Sequence, residues 1–324
     1  MNEIKKKNYS ICLINIYFGK LPNYFQLWLN SCKYNETINF IIFTDDDTKY
    51  DYPKNVKVVY TTLSKIKDRI QKKFEFKISL DYAYKLCDYK PTYGYIFQEE
   101  LKEYDFWGYC DLDVIFGNLR KYLDINILTK YDKIYTVGHF TIYKNKDEIN
   151  DNFREVVNEK TGQPLYKEVF SNNNSFYFDE WAGILNLYKG KKYKMYSNPN
   201  VIADIAIQYN NFILNREKKN GKYIFHWCID GDNSKLYGIY RKNKKILTKE
   251  FMYIHLQKRN MEFDINNFEQ FFIVPNKFLA GENQKLDDIV KGYCGKFNYY
   301  RKEYIILRIK RLYQKILKKG KKNI

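Results

Sequence analysis

The stretch Phe106-Trp-Gly-Tyr-Cys-Asp-Leu-Asp-Val-Ile-Phe-Gly117 sets two carboxylates, Asp111 and Asp113, one residue apart inside an otherwise apolar and aromatic run. A short aromatic strand over 105–110 delivers the chain straight into Asp111, so both acids are expected at the strand's carboxyl end. Charges between such apolar flanks are costly unless they have a task. Two carboxylates with one residue between them can approach one hard divalent ion, Mg²⁺ or Mn²⁺, while Leu112 packs; such ions keep positions open for phosphate oxygens. The same triplet can also be a strand-end turn whose carboxylates cap a helix starting near Asn118.

Upstream, β-branched and aromatic runs alternate with helix-period segments. Strands are expected at 10–17, 38–44 and 55–61. A helix through Trp28 begins near Pro22, a basic helix over 65–73 is capped by Ser64, and a longer helix over 80–104 breaks at Pro91 and Gly94. This βα alternation predicts an α/β fold with a mostly parallel sheet flanked by helices. Downstream, 120–128 reads as helix and 133–143 as strand, and 145–174 as a surface excursion with a helix inside. Strands at 225–240 and 250–256 flank a basic turn over 241–245. With 324 residues, 45% of them apolar, the chain can bury a large core.

Three Asp-x-Asp triplets occur, at 45–47, 111–113 and 230–232, so context must choose between them. Asp230-Gly-Asp232 carries the glycine and following Asn233-Ser234 of an ordinary solvated turn. Asp45 follows a strand directly, at the end where open α/β sheets bind ligands, and is a candidate for a base or ribose contact. The six cysteines are scattered without CxxC pairs, which favours a reducing cytoplasm. The apolar run behind Lys5-Lys6-Lys7 is short, contains Asn15 and meets no small-residue cleavage site, so it reads as a buried strand. No stretch approaches the ~20 apolar residues of a spanning helix.

The segments Tyr84-Lys-Leu-Cys-Asp-Tyr-Lys-Pro-Thr-Tyr-Gly-Tyr-Ile-Phe97 and Tyr104-Asp-Phe-Trp-Gly-Tyr-Cys-Asp-Leu-Asp-Val-Ile-Phe-Gly-Asn-Leu-Arg120 together resemble a family of bacterial GT-A glycosyltransferases that build capsule and lipopolysaccharide. The resemblance extends through Gly138-His-Phe-Thr-Ile-Tyr-Lys-Asn145, Phe178-Asp-Glu-Trp-Ala-Gly-Ile184 and Tyr253-Ile-His-Leu-Gln-Lys-Arg259. It implies a GT-A-like, Rossmann-like sheet and a metal-dependent transfer of sugar from a nucleotide-sugar donor, a UDP-sugar in the first place, to a growing surface glycan or glycolipid. It also implies an organisation: one catalytic domain over 1–300, with a nucleotide-sugar-binding half at 1–120 and an acceptor-side half at 121–300. By the same resemblance, Lys85, Asp88 and Lys90 lie where GT-A enzymes hold the donor's sugar and ribose. His255 would join Asp111 and Asp113 on the ion, and Lys258 or Arg259 would neutralise the diphosphate. Lys85 and Asp88 can alternatively be an exposed helical ion pair.

Glycosyl transfer that inverts configuration needs a base for the acceptor hydroxyl, and Asp179 and Glu180, between Phe178 and Trp181, are the candidates for that base or for an acceptor clamp. They can also simply begin a helix that enters the core. His139 can line the acceptor or pack, and His226 beside Trp227 reads as structural.

The formal charge is +18. Ten basic residues against Glu303 place half of that excess in the last 24 residues. There Ile305, Ile309, Leu312 and Ile316 recur at helical spacing, a basic amphipathic helix over 301–324 suited to an anionic membrane surface. A peripheral protein at the inner face of the cytoplasmic membrane is therefore expected; a helix packed on the domain is the alternative. A basic nucleic-acid-binding protein is a rival class, but no recognition motif is present and no nucleic-acid partner is expected. A nucleotidyl or phosphate transferase on the same fold is a further alternative.

Overall fold

The computed structural model describes residues 9–180, 183–190, 192–217, 221–265, 267–282, 284–295 and 298–320, without the side chains of 311 and 314–320. Trp181 and the tail residues 321–324 lie outside the described residues. The chain divides into two compact units, Met1–Asn200 and Val201–Ile324.

The first unit is α/β. Its strands are β1 (Ile11–Tyr17), β2 (Ile38–Thr44), β3 (Val56–Tyr60), β4 (Phe106–Cys110), β6 (Lys133–Val137), β7 (Phe140–Lys144) and β8 (Met195–Tyr196), and a short strand, β5 (Val114–Phe116), follows β4 in the chain. Seven of them form one sheet in the order β3-β2-β1-β4-β7-β6-β8. β3, β2, β1 and β4 run parallel, β7 is antiparallel to both β4 and β6, and β8 is parallel to β6. The sheet is thus largely parallel and flanked by helices, as the alternation predicts. Ile11, Cys12, Leu13 and Ile14 of β1 are wholly buried, the continuous apolar reading of a strand covered on both faces. The Asn15 that interrupts this run is itself buried, and its amide donates 2.9 Å to the carbonyl of Cys110 at the end of β4.

Several local expectations shift. The first helix spans Phe25–Lys33, its opening turn closed by Phe25 N–H on the Pro22 carbonyl. The second spans Leu63–Gln71 and is capped by Thr62, whose hydroxyl accepts from Lys65 N–H, rather than by Ser64. The long helix over 80–104 is instead a chain of single turns, among them Leu86–Tyr89, Tyr93–Ile96 and Gln98–Leu101, because Pro91 removes a donor and forces tight turns around Lys90. The 133–143 strand is a hairpin, β6 and β7, broken at the Gly138-His139 turn. No helix begins near Asn118; the helix is Ile125–Lys130, capped by Asp124, so capping it is not the work of Asp111 and Asp113.

The second unit carries a six-stranded sheet of β10 (Tyr223–Asp230), β11 (Asn233–Lys242), β12 (Lys245–Glu250), β14 (Glu262–Asp264), β15 (Gln270–Val274) and β16 (Lys277–Ala280), in the order β12-β11-β10-β15-β16-β14. All its neighbours are antiparallel except β14 and β16. Asp230-Gly231-Asp232 is the β10–β11 turn, with Gly231 at φ +61°, as its composition predicts. β9 (Ile202–Asp204) and β13 (Tyr253–His255) form a separate parallel pair that sets His255 beside Asp204. The helix Leu286–Cys294 buries Ile289 and Val290 against Ile224, Ile239, Phe272 and Val274.

Gly108, at the middle of β4, shows how tightly the first sheet is packed. A Cβ there would stand 2.2 Å from the Thr141 carbonyl and 2.9 Å from the Leu13 side chain. Since the obstacle is backbone, the strand has to move. Gly108→Ala is expected to destabilise the protein by about 2 kcal/mol or more, read as a lower urea midpoint at unchanged slope.

Candidate functional site

The parallel strands β1, β2 and β4 all end on one edge of the sheet, and buried side chains fix the loops there. Asp46 is the strongest case. Its carboxylate accepts from Leu21 N–H (2.9 Å), Thr48 N–H (3.2 Å), Thr48 hydroxyl (2.6 Å) and Lys20 (2.9 Å). Burial pushes its pKa up, but these four donors outweigh it and hold the carboxyl far below the usual range. Asp45, the expected base or ribose contact, is exposed and takes the N–H of Gly19, itself at φ +92°.

Lys90 is the centre of the site. Its ammonium donates to Asp111 Oδ1 (2.8 Å) and to the Gly138 carbonyl (2.7 Å), and lies 3.9 Å from Asp179 Oδ2. The Tyr109 ring is 5.2 Å away. Burial disfavours its charge, yet Asp111, Cys87 and Asp179 hold its pKa well above the ordinary lysine value. Asp111 keeps 31% of its side chain exposed, whereas Asp113 is buried. Burial first, and then the Asp113 charge, push the Tyr17 and Tyr24 hydroxyls up.

Asp179 is buried, and its pKa is raised to about 7: burial is the largest cause, Lys90 opposes it, and Glu180, Asp111 and Asp88 add to it. Glu180 stands beside it. A Cβ on Gly138 would come within 2.4 Å of Glu180 Oε1 and 3.0 Å of Asp179 Oδ2, so the β6–β7 turn admits these two carboxylates only because residue 138 is glycine. Asp111, Lys90 and the adjacent Asp179 and Glu180 thus converge in one unit from three separate parts of the chain.

Lys85 and Asp88 lie in the interior of the first unit. Both side chains are fully buried and bonded to each other at 2.8 Å. They are therefore not an exposed helical ion pair. Arg259 is also buried rather than presented to a phosphate: its guanidinium donates to the carbonyls of Ala206, Tyr209 and Asn210 and to Asn276. Burial, and then Arg301, lower its pKa to about 9. Lys258 is exposed, at φ +53°. His226 lies in β10 against the Phe272 ring, 4.6 Å between centroids, and burial lowers its pKa, in keeping with a structural role.

In the second unit His255 Nδ1 is 2.9 Å from Asp204 Oδ1. The same carboxylate accepts from Gln257 (2.7 Å) and Asn215 (2.6 Å). A carboxylate on the far nitrogen is how a metal-binding imidazole is commonly oriented. Asp204 was not singled out in the sequence, although Ile202-Ala203-Asp204 ends an apolar strand in an acid much as β4 does. Among the described residues, Asp111, Asp113, His139, Asp204 and His255 carry oxygen and nitrogen donors suited to a divalent ion. Lys133 also escaped sequence reasoning: it is wholly buried in β6, with its ammonium 4.0 Å over the Tyr143 ring and bonded to the Tyr143 hydroxyl.

The raised Asp179 has a thermodynamic consequence. The folded chain holds a proton there that the unfolded chain, with an ordinary aspartate near 3.9, has released. Stability from this group is therefore present below about pH 4 and is lost as pH rises to about 7, by up to about 4 kcal/mol. Asp179→Asn is expected to flatten that fall between pH 4 and 7 in denaturant titrations; an unchanged slope contradicts it.

No curated protein matches the chain. A family model described as a family of unknown function, DUF6625, matches residues 13–282. That match spans most of the chain, which therefore belongs to the DUF6625 family.

Proposed function

We propose that this protein is a metal-dependent glycosyltransferase of the GT-A type, moving a sugar from a nucleotide-sugar donor, in the first place a UDP-sugar, to a surface glycan or glycolipid acceptor. The observation that carries this reading is the convergence of Lys90, Asp111 and the buried Asp179 at the carboxyl edge of a largely parallel sheet. Open α/β sheets bind nucleotides at that edge. Asp111 and Asp113 would hold a divalent ion, which would supply electrostatic neutralisation for a diphosphate leaving group. The carboxylate donor set fits a hard ion such as Mn²⁺ or Mg²⁺. His255, oriented by Asp204, is proposed as a further ligand on the strength of the sequence resemblance, and Lys258 as a cation for the diphosphate.

The chain's own residues supply the rest. Lys90 is a permanently charged donor that faces both Asp111 and Asp179 and favours negative charge developing beside it. Asp179, with its pKa near neutrality, can take the acceptor hydroxyl's proton at physiological pH, and Glu180 beside it can accept hydrogen bonds from the acceptor sugar. Turnover is expected to rise with pH through about 7 as Asp179 ionises. A panel of nucleotide sugars assayed with Mn²⁺ and Mg²⁺ tests the reading: Asp113→Ala should lose about a hundredfold or more in turnover, and unchanged turnover removes the metal assignment. Release of sugar 1-phosphate would identify transfer of the nucleotidyl group instead, and release of nucleoside monophosphate transfer of the sugar phosphate.

We also infer peripheral attachment to the inner face of the cytoplasmic membrane. No described helix is long and apolar enough to cross a membrane. The helix Lys302–Gly320, however, leaves Ile305, Ile306, Ile309, Leu312 and Tyr313 exposed, which a helix packed on its own domain would bury. At 100° per residue these five share about one third of the circumference, while Arg308 and Lys310 flank them. Apolar area combined with flanking cations fits an anionic lipid interface, each cation adding roughly 1 kcal/mol. Ile309→Glu with Leu312→Glu is expected to abolish sedimentation with anionic vesicles; retention of binding contradicts this.

A further inference from the structure

The buried Lys85–Asp88 pair is not explained by the chemistry above, and its contacts all lead to one place. Lys85 Nζ donates to the carbonyls of Val169 (2.8 Å) and Asn174 (2.6 Å) as well as to Asp88. Asp88 accepts the N–H of Phe176 on both oxygens (3.0 and 3.1 Å) and the N–H of Phe178 (3.0 Å). Neighbouring side chains reach the same segment: Tyr89 hydroxyl donates to the Phe170 carbonyl (3.3 Å) and Tyr82 hydroxyl to that of Asn173 (2.9 Å).

Between the end of the helix Leu165–Ser171 and Phe178 the chain has no regular structure, and Tyr177 sits at φ +55°. Its backbone groups therefore have no ladder or helical partners, and buried ones must be satisfied some other way. An apolar pair could fill the same volume as Lys85 and Asp88 but could neither donate to two carbonyls nor accept from two amides. Asp179 follows directly on this segment. The turn that carries Lys85 and Asp88 also carries Lys90, so one short piece of chain fixes both the ammonium and the arm that brings Asp179 to 3.9 Å from it.

We propose that Lys85 and Asp88 are positioning residues: by taking over the backbone hydrogen bonding of 169–178 they hold Asp179 at its distance from Lys90, and so set the geometry of proton removal from the acceptor. This rests on the reading of Asp179 as the base. Both side chains are closed off from solvent, so losing the pair should lower kcat while leaving donor KM and Mn²⁺ affinity in place.

The test uses the full chain as Asp88→Asn, the double variant Lys85→Met with Asp88→Asn, which leaves no buried unpaired ammonium, and the conservative Lys85→Arg. The two Asp88 variants are expected to lose roughly tenfold to a hundredfold in kcat with donor KM and Mn²⁺ binding within about twofold, and Lys85→Arg, which keeps the ion pair, to lose less than either. Adding Asp179→Asn to Asp88→Asn should cost little more than Asp179→Asn alone, since both act on one step. Amide hydrogen exchange should show lost protection at Phe176 and Phe178 with β4 and β7 unchanged. Folded variants with wild-type kcat, or losses that multiply with Asp179→Asn, overturn the proposal, as does unchanged exchange of the arm. A wild-type chain with no transfer activity removes the base role of Asp179, while the exchange measurement still decides whether the pair holds the arm.

Discussion

A lysine ammonium buried among carboxylates is stable only if the acids are close enough to outweigh its desolvation, and that condition shapes the first unit. Lys90 meets it through Asp111, with Asp179 a little further off and the Gly138 carbonyl accepting a further hydrogen bond from it. Each partner comes from a different segment: a turn around Pro91, the end of β4, the β6–β7 turn and the arm after the helix Leu165–Ser171. Removing Asp111 would leave the buried Lys90 ammonium without its main counter-charge, which is strongly unfavourable. Lys90 and Asp111 are therefore held together, while burial, against the opposing Lys90 charge, raises Asp179 to about 7.

The loops around the cluster are built by buried polar side chains that replace missing secondary structure. Asp46 serves the loops after β1 and β2, and Lys85 with Asp88 serves the arm before Asp179. Asn35 does the same after the first helix: its amide donates to the Gly117 carbonyl and its oxygen accepts from Leu119 N–H, so the chain leaving Asp113 is pinned within a few residues. Arg259 is the equivalent in the second unit, with three backbone carbonyls on one guanidinium. Charged residues at these positions resemble ligand-binding groups in a sequence, since burial and bonding to backbone leave no mark on residue identity.

Residue pattern is enough to specify the parallel βα order of the N-terminal region, because strands buried on both faces need continuous apolar runs and their connections need helix periodicity. It set strand β2 to the residue, placed Asp111 and Asp113 at the end of β4, and marked Asp230-Gly231-Asp232 as a turn through its glycine. It also marked the amphipathic stripe of the last helix. Tertiary structure alone decided which charges meet. Lys85, Asp88 and Lys90 lie within six residues, yet the first two turn into the core and only the third reaches Asp111, because the Pro91 turns replace the single helix whose periodicity would have predicted their directions. Asp179 and Gly138 come together across 41 positions of chain through sheet packing, and Asp204 finds His255 through the pairing of β9 with β13. Contacts between segments so far apart depend on register and packing, which residue types and local spacing do not encode.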